Sequence, residues 1–150
     1  MAWDVRYTKQ FQRMGVTTTY RIDILADGNF TPVVPWKMGI DPCQLRTIAT
    51  ERDEEKVVIG SELTFEFVLN KRTDEGLYDP LFVSDYREHI VRFYNEDTSE
   101  LLWQGYLQPE NMYKSVFESN LHIYLSATDA LKDLADYEFR DEGQIVTGHL

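Results

Sequence analysis

The chain has 150 residues and a mass of 17.6 kDa, a length that predicts one domain over residues 1–150. An apolar fraction of 43% with 13% aromatic residues excludes an intrinsically disordered chain. The formal net charge of -11, from 26 acidic and 15 basic residues, argues against specific nucleic-acid binding or an anionic membrane surface, because phosphate binding relies on clustered Lys and Arg.

The sequence carries no targeting signal. No apolar run approaches the roughly 20 residues of a membrane-spanning helix, and the first residues lack a cationic segment followed by an apolar one. We therefore expect neither a membrane span nor export through a signal peptide. Cys43 is the single cysteine, which excludes an intrachain disulfide and a multi-cysteine zinc site and fits synthesis in a reducing cytoplasm.

The first half of the chain alternates apolar and polar side chains wherever it is periodic. Residues 17–25 predict a half-buried strand that ends at the turn signal of residues 27–29. Residues 31–35 contain two prolines, which lack the N–H of a sheet ladder, so this segment is an edge strand or an extended loop. Residues 44–50 are a further candidate strand.

The clearest strand covers residues 63–69. Alternate positions along it are apolar, which places them on one buried face. These core-facing residues are Leu63, Phe65, Phe67 and Leu69. The charged run of residues 51–56 precedes this strand and is interpreted as a solvated loop.

Two short helices are predicted. Residues 77–84 have apolar positions at helical spacing, and Pro80 is compatible with a first turn. Near the end of the chain, Thr128 or Asp129 is a credible N-cap for an amphipathic helix that runs through Asp136.

Strands dominate the rest of the second half. Residues 89–94, 101–108 and 121–127 are β-rich, and residues 114–118 are a further pairing candidate. The last two of the three β-rich runs indicate an antiparallel meander. The predicted fold class is mainly β: an antiparallel β-barrel or sandwich of seven to eight short strands with two short helices.

No motif for catalysis or cofactor binding is present. The three histidines, His89, His122 and His149, are too scattered for a metal helix, and His122 lies opposite the apolar face of its strand, as a surface or rim residue does. Nucleotide-binding and acyl-transfer signatures are absent from the sequence. We predict no catalytic residue, no metal and no cofactor, and hence a protein that is not an enzyme.

The aromatic and acidic residues leave two alternatives open. Trp3, Trp36 and Trp103 could form a sugar-stacking platform, although aromatic residues of β-rich domains are more often core or subunit contacts. A carbohydrate-binding domain that attaches to a bacterial surface glycan through Trp36 or Trp103 is therefore the alternative function. A glycan-cleaving enzyme with two carboxylates has composition but no motif behind it.

Several sequence elements carry a family resemblance through their order and spacing. They are a Gly-Ser-x-Leu strand start at residues 60–63, a short helix at 81–85, the run at 91–94, a Trp-x-Gly-x-Leu-x-Pro-Glu strand end at 103–110, and an Ala-Thr-Asp-x-Leu helix start at 127–131. Over residues 17–150 the chain resembles the amino-terminal region of the large tail or baseplate proteins of Bacteroidetes phages and prophages.

The resemblance implies a non-catalytic structural protein of the virion tail. Such proteins are similar to baseplate hubs, whose tube-like β-barrel domains assemble as a ring at the tail tip, in contact with other tail proteins, after synthesis in the bacterial cytoplasm. Relatives are usually longer, so the chain looks like an amino-terminal fragment or a short paralogue. The motif residues are assigned to architecture or assembly: Trp103, Gly105, Tyr106, Leu107, Pro109 and Glu110.

The acidic charge has a role in this context. A tail channel must let DNA slide through without binding, and a carboxylate-rich lumen repels phosphate. Plain solubility is the simpler explanation of the same charge, because nothing in the sequence places the acidic residues on one face.

Overall fold

The computed structural model describes most of the strand-forming part of the chain. The described residues are 2–38, 43–48, 60–70, 73–82, 85, 87–108, 113–114, 120–129, 131, 140–141 and 144–145. The strands are β1 (Trp3–Gln12), β2 (Thr19–Asp27), β3 (Val34–Pro35), β4 (Cys43–Ile48), β5 (Gly60–Asn70), β6 (His89–Asn95), β7 (Glu100–Leu107), β8 (Tyr113–Lys114), β9 (Asn120–Thr128), β10 (Arg140–Asp141) and β11 (Gln144–Ile145). Two 3₁₀ turns, Glu75–Leu77 and Asp79–Leu81, follow β5.

One mixed sheet forms the body of the molecule. Its strand order is β3-β1-β2-β6-β7-β9-β5-β4, with β8 paired to β9 beside this path, while β10 and β11 form a separate hairpin. Among the described strands, every pair is antiparallel except β1 with β3. The mainly β class predicted from the sequence is confirmed. The barrel or sandwich is not confirmed, because the ladder stays open between β3 and β4.

The core lies on one face of this sheet. On β5 the four residues predicted to face the core are all buried, and β9 places Ile123, Leu125 and Ala127 against them. On β2 and β6, Ile22, Ile24 and Val91 continue the same layer. Alternation with a period of two therefore sets the register, since a slip of one residue would turn every apolar side chain outward.

The sheet curls so that its two ends share this core. Tyr7 on β1 and Phe67 on β5 are far apart in strand order, yet their ring centroids lie 6.4 Å apart. Tyr78, between the two 3₁₀ turns, stacks on Tyr7 at 5.5 Å and contacts Phe67 at 5.4 Å. The backbone N–H of Val68 also donates to the carbonyl oxygen of Lys37 at 2.8 Å, which forms one bridge across the opening.

Most predicted strands lie where the sequence places them. The predictions for 17–25, 63–69, 89–94, 101–108 and 121–127 correspond to β2, β5, β6, β7 and β9. Of the proline-containing segment at 31–35, residues 34 and 35 form the edge strand β3, which among the described strands pairs with β1 alone. The candidate at 44–50 is β4 up to residue 48, and the pairing candidate at 114–118 begins in β8.

The helix predictions have a different outcome. The predicted helix at 77–84 is wrong over its described part, residues 77–82, which holds the end of one 3₁₀ turn and the whole of the second. Pro80 explains this because it has no N–H with which to continue a helical ladder from the first turn into the second. Most of the predicted helix from Thr128 to Asp136, and the charged run at 51–56, lie outside the described residues.

Candidate functional site

Three of the elements that carry the family resemblance meet at one junction, the strand start at 60–63, the strand end at 103–110 and the helix start at 127–131. The indole N–H of Trp103 donates to Ser61 Oγ at 2.8 Å, and that hydroxyl donates to Asp129 Oδ2 at 2.6 Å. The same carboxylate oxygen accepts from the backbone N–H of Ser61 at 2.8 Å, and the N–H of Asp129 returns a bond to the Ser61 carbonyl at 3.2 Å. The chain of hydrogen bonds thus ties the start of β5 to β7 and to the end of β9.

Gly105 allows the closest approach within this junction. A Cβ at this position would lie 2.3 Å from the backbone oxygen of Thr128 and 2.4 Å from Cη2 of Trp103, distances at which real atoms cannot remain. Beside it, Tyr106 and Leu107 pair with Thr128 and Ala127 on β9. A glycine is therefore required here by space, because β7 and β9 pack their backbones against each other.

The other predicted motif residues have mixed positions. Leu107 is in the core and Tyr106 is half-buried with polar or ring contacts of its own. Pro109 and Glu110 lie outside the described residues. The described members of the motif lie where strands of the sheet contact one another.

The two tryptophans of the glycan alternative are buried. Trp36 is 3% exposed and Trp103 is 9% exposed. The Trp36 ring packs edge-on against Phe67 at 4.3 Å, inside the aromatic core. Neither ring offers an open face on which a sugar could stack.

A second polar cluster lies on the outer face of β5 and β9. Glu62 and Glu66 are buried there, although the strand alternation points both away from the core. Glu62 accepts from Arg46 Nε at 2.7 Å and from the hydroxyl of Ser126. Each acidic group is stabilised by a charged or polar neighbour, as a buried carboxylate must be.

Ser126 and His122 of this cluster do not form a nucleophile and base pair. His122, which was predicted to lie at the surface or rim, is partly exposed and contacts Glu66 through Nδ1. Ser126 and His122 are four residues apart on the same strand, which separates their Cα atoms by roughly 13 Å. They therefore cannot form a nucleophile and base pair within hydrogen-bond distance.

His89 is a buried histidine on the core-facing side of β6. It is 3% exposed, pairs in register with Ala26, and neither ring nitrogen has a hydrogen-bond partner among the described residues. Burial, and then the neighbouring charge of Arg6, lower the pKa of His89 to about 4. The imidazole is therefore neutral in the folded chain at neutral pH.

The low pKa of His89 predicts a loss of stability in mild acid. In the unfolded chain the ring takes up a proton as pH falls below about 6.5, whereas the folded chain takes it up only near pH 4. Protonation of His89 therefore costs no stability above pH 6.5, and it lowers the free energy of unfolding progressively as pH falls from 6.5 toward 4. In the His89→Leu variant, the free energy of unfolding relative to wild type should rise by about 2 kcal/mol between pH 7.5 and pH 5, measured by urea titration. A difference that is the same at both pH values would contradict the assignment.

A groove opens where the sheet fails to close. It encloses about 1230 Å³ between the second half of β1 and strand β4. Its described lining residues are Lys9, Gln10, Phe11, Gln12, Arg13, Met14, Tyr20, Met38, Cys43, Gln44, Leu45, Arg46, Phe93 and Leu102. We call this feature the edge groove.

The edge groove continues the core. Phe11, Tyr20 and Phe93 stack together at 5.5 to 6.3 Å and form its aromatic floor. Across from them, Cys43 is half-buried against the core, and burial raises the pKa of its thiol to about 11. Sequence reasoning missed the groove, because its residues come from segments that only the tertiary fold brings together.

Comparisons with known proteins identify no family for the chain. No protein-family model, no curated protein and no solved structure matches the chain. Within the described ranges, no group of three or more His, Cys, Asp or Glu side chains is placed to hold a metal ion. The helices of that part of the chain also lack the length and apolar character to cross a bilayer.

Proposed function

We propose that the chain is a non-catalytic structural component of a bacteriophage or prophage tail or baseplate, and that it assembles into a symmetric ring at the tail tip. The observation that carries this proposal is the open sheet, whose outer strand edges and edge groove are not covered by any other described part of the chain. The order of the sequence motifs supplies the phage context.

Open strand edges favour assembly. In the described part of the chain, β4 pairs with β5 along one side and has a free second edge, and β1 pairs with β3 through Tyr7 and Thr8 alone. Unpaired edges are templates for another strand, so soluble proteins cover or blunt them. A neighbouring subunit in a ring provides such cover.

The motif residues support a structural role. At the junction of β5, β7 and β9, the side chains of Trp103, Ser61 and Asp129 hydrogen-bond to one another. Gly105 is small enough for the backbones of β7 and β9 to approach closely there. A junction of this kind fixes the geometry of a building block, which a ring of identical subunits requires. The acidic net charge fits a channel that DNA crosses without binding.

The test is the assembly state of the purified chain and of the full product of its gene. Size exclusion with light scattering across a concentration series, followed by electron microscopy, should show a closed ring of fixed stoichiometry. The proposed ring also places the protein at the tail tip, which immunogold labelling of virions would locate. A protein that stays monomeric at high micromolar concentration and occupies no ring in virions would overturn the proposal.

A further inference from the structure

We infer that the edge groove is the acceptor site for an extended acidic segment of a second copy of this chain. This inference rests on the proposed assembly and names the surface through which the subunits join. Three features of the groove support it: the free backbone edges, the unfilled core and the local charge.

The groove lies between two backbone edges that can accept a strand. Beyond Thr8, the outer edge of β1 from Lys9 to Gln12 has no strand partner among the described residues. The outer edge of β4 is likewise free in the described part of the chain. An extended segment in the groove could pair with either edge, so backbone hydrogen bonds would hold it whatever its exact sequence.

The groove is also a part of the core that the described side chains do not fill. Phe11 and Leu45 both lie on the core-facing side of their strands, in register with Tyr20 and Leu63. Leu45 is nevertheless 48% exposed, and Phe11 is only partly buried. Apolar side chains of an inserted strand would cover these groups, as alternate side chains do in strand addition.

Charge selects an acidic occupant. The described lining residues include Lys9, Arg13 and Arg46 and no carboxylate, in a chain whose net charge is -11. Lys9 and Arg13 enter no ion pair among the described residues, whereas Arg46 contacts Glu62. The groove is therefore a cationic surface of opposite sign to an acidic segment of a second copy.

The contact joins two different surfaces. A cationic groove on one subunit takes an acidic segment from elsewhere on the next, which makes the interface heterologous. Heterologous contacts close into rings when the rotation between subunits divides a full turn. The groove is thus compatible with the proposed ring geometry.

The first experiment compares two charge reversals of equal size. The Lys9→Glu/Arg13→Glu variant reverses the groove, and the Lys37→Glu/Arg87→Glu variant makes the same change in net charge at exposed positions outside the groove. Light scattering should show that the groove variant raises the dissociation constant of assembly at least about tenfold. The control should stay within about twofold of wild type, and circular dichroism establishes that both variants fold.

The second experiment uses the native thiol as a reporter. Cys43 is the single cysteine and lines the groove, so an occupied groove should slow its alkylation. We expect the alkylation rate of wild type and control to fall at least about fivefold between the monomeric and assembled concentration ranges. The rate of the groove variant should stay unchanged over the same range.

The outcomes separate this inference from the proposed function. A wild-type chain that never associates overturns both. Assembly that survives the groove reversal, with Cys43 reacting equally fast in monomer and ring, overturns the groove assignment while the proposed ring stands. Assembly lost equally in the groove and control variants also overturns it, because bulk charge would then be the cause.

Discussion

Replacement of Gly105 by alanine is expected to destabilise the fold by about 3 kcal/mol or more. The added Cβ would overlap the Thr128 backbone and the Trp103 ring, at 2.3 and 2.4 Å. The backbone of a paired strand cannot rotate away as a flexible side chain can. Either β7 moves off β9 or Trp103 leaves its bond to Ser61, and both changes open the junction. Urea unfolding followed by circular dichroism measures the effect.

Gly76 provides the matched control. A Cβ there meets no atom within 4 Å, so Gly76→Ala should change the free energy of unfolding by less than about 1 kcal/mol. If the two variants lose equal free energy of unfolding, the space around Gly105 does not determine the effect of the alanine. The Trp-x-Gly part of the motif would then lose its structural explanation.

The strands with regular alternation could be predicted from the sequence. In β5 and β2 the apolar residues occupy every second position, and burial of one face follows directly from that pattern. The positions of these strands along the sequence were therefore predictable. Their order within the sheet was not, because pairing such as β9 with β5 depends on contacts between residues far apart in sequence.

Strand β1 was not predicted from the sequence, and the edge groove explains why. Lys9 interrupts the apolar positions Tyr7 and Phe11, and the register shifts between Val5 and Tyr7. A lysine on the core-facing side contradicts the usual pattern. The structure explains it, because this end of the core is open and Lys9 lines the edge groove.

The candidate sites were predictable only in part. The Trp-x-Gly motif named Trp103 and Gly105 as candidates. The structure brings them together with Ser61 and Asp129, which belong to the motifs at 60–63 and 127–131. The buried carboxylates were not predictable. Glu62 lies on the outward side of an alternating strand, where the pattern indicates solvent, and its burial depends on neighbours from other strands.

The ring contacts of Phe67 depend on the curling of the sheet. Its ring is fully buried and contacts Trp36, Tyr78 and Tyr7, which belong to three segments outside β5. A flat sheet could not bring Tyr7 of β1 to this ring, because four strands separate β1 from β5 in the sheet order.

Phe67→Ala is therefore expected to lower the free energy of unfolding by about 3 to 5 kcal/mol, the range for an aromatic ring removed from a packed core. Phe82→Ala makes the same change at a ring that is 42% exposed and should lower it by less than about 1 kcal/mol. Both values come from urea titrations of the chain at one concentration. If the two variants lose equal stability, Phe67 does not lie where the ends of the sheet meet. The edge groove borders the same opening, so the curled sheet described as forming its walls would then also be wrong.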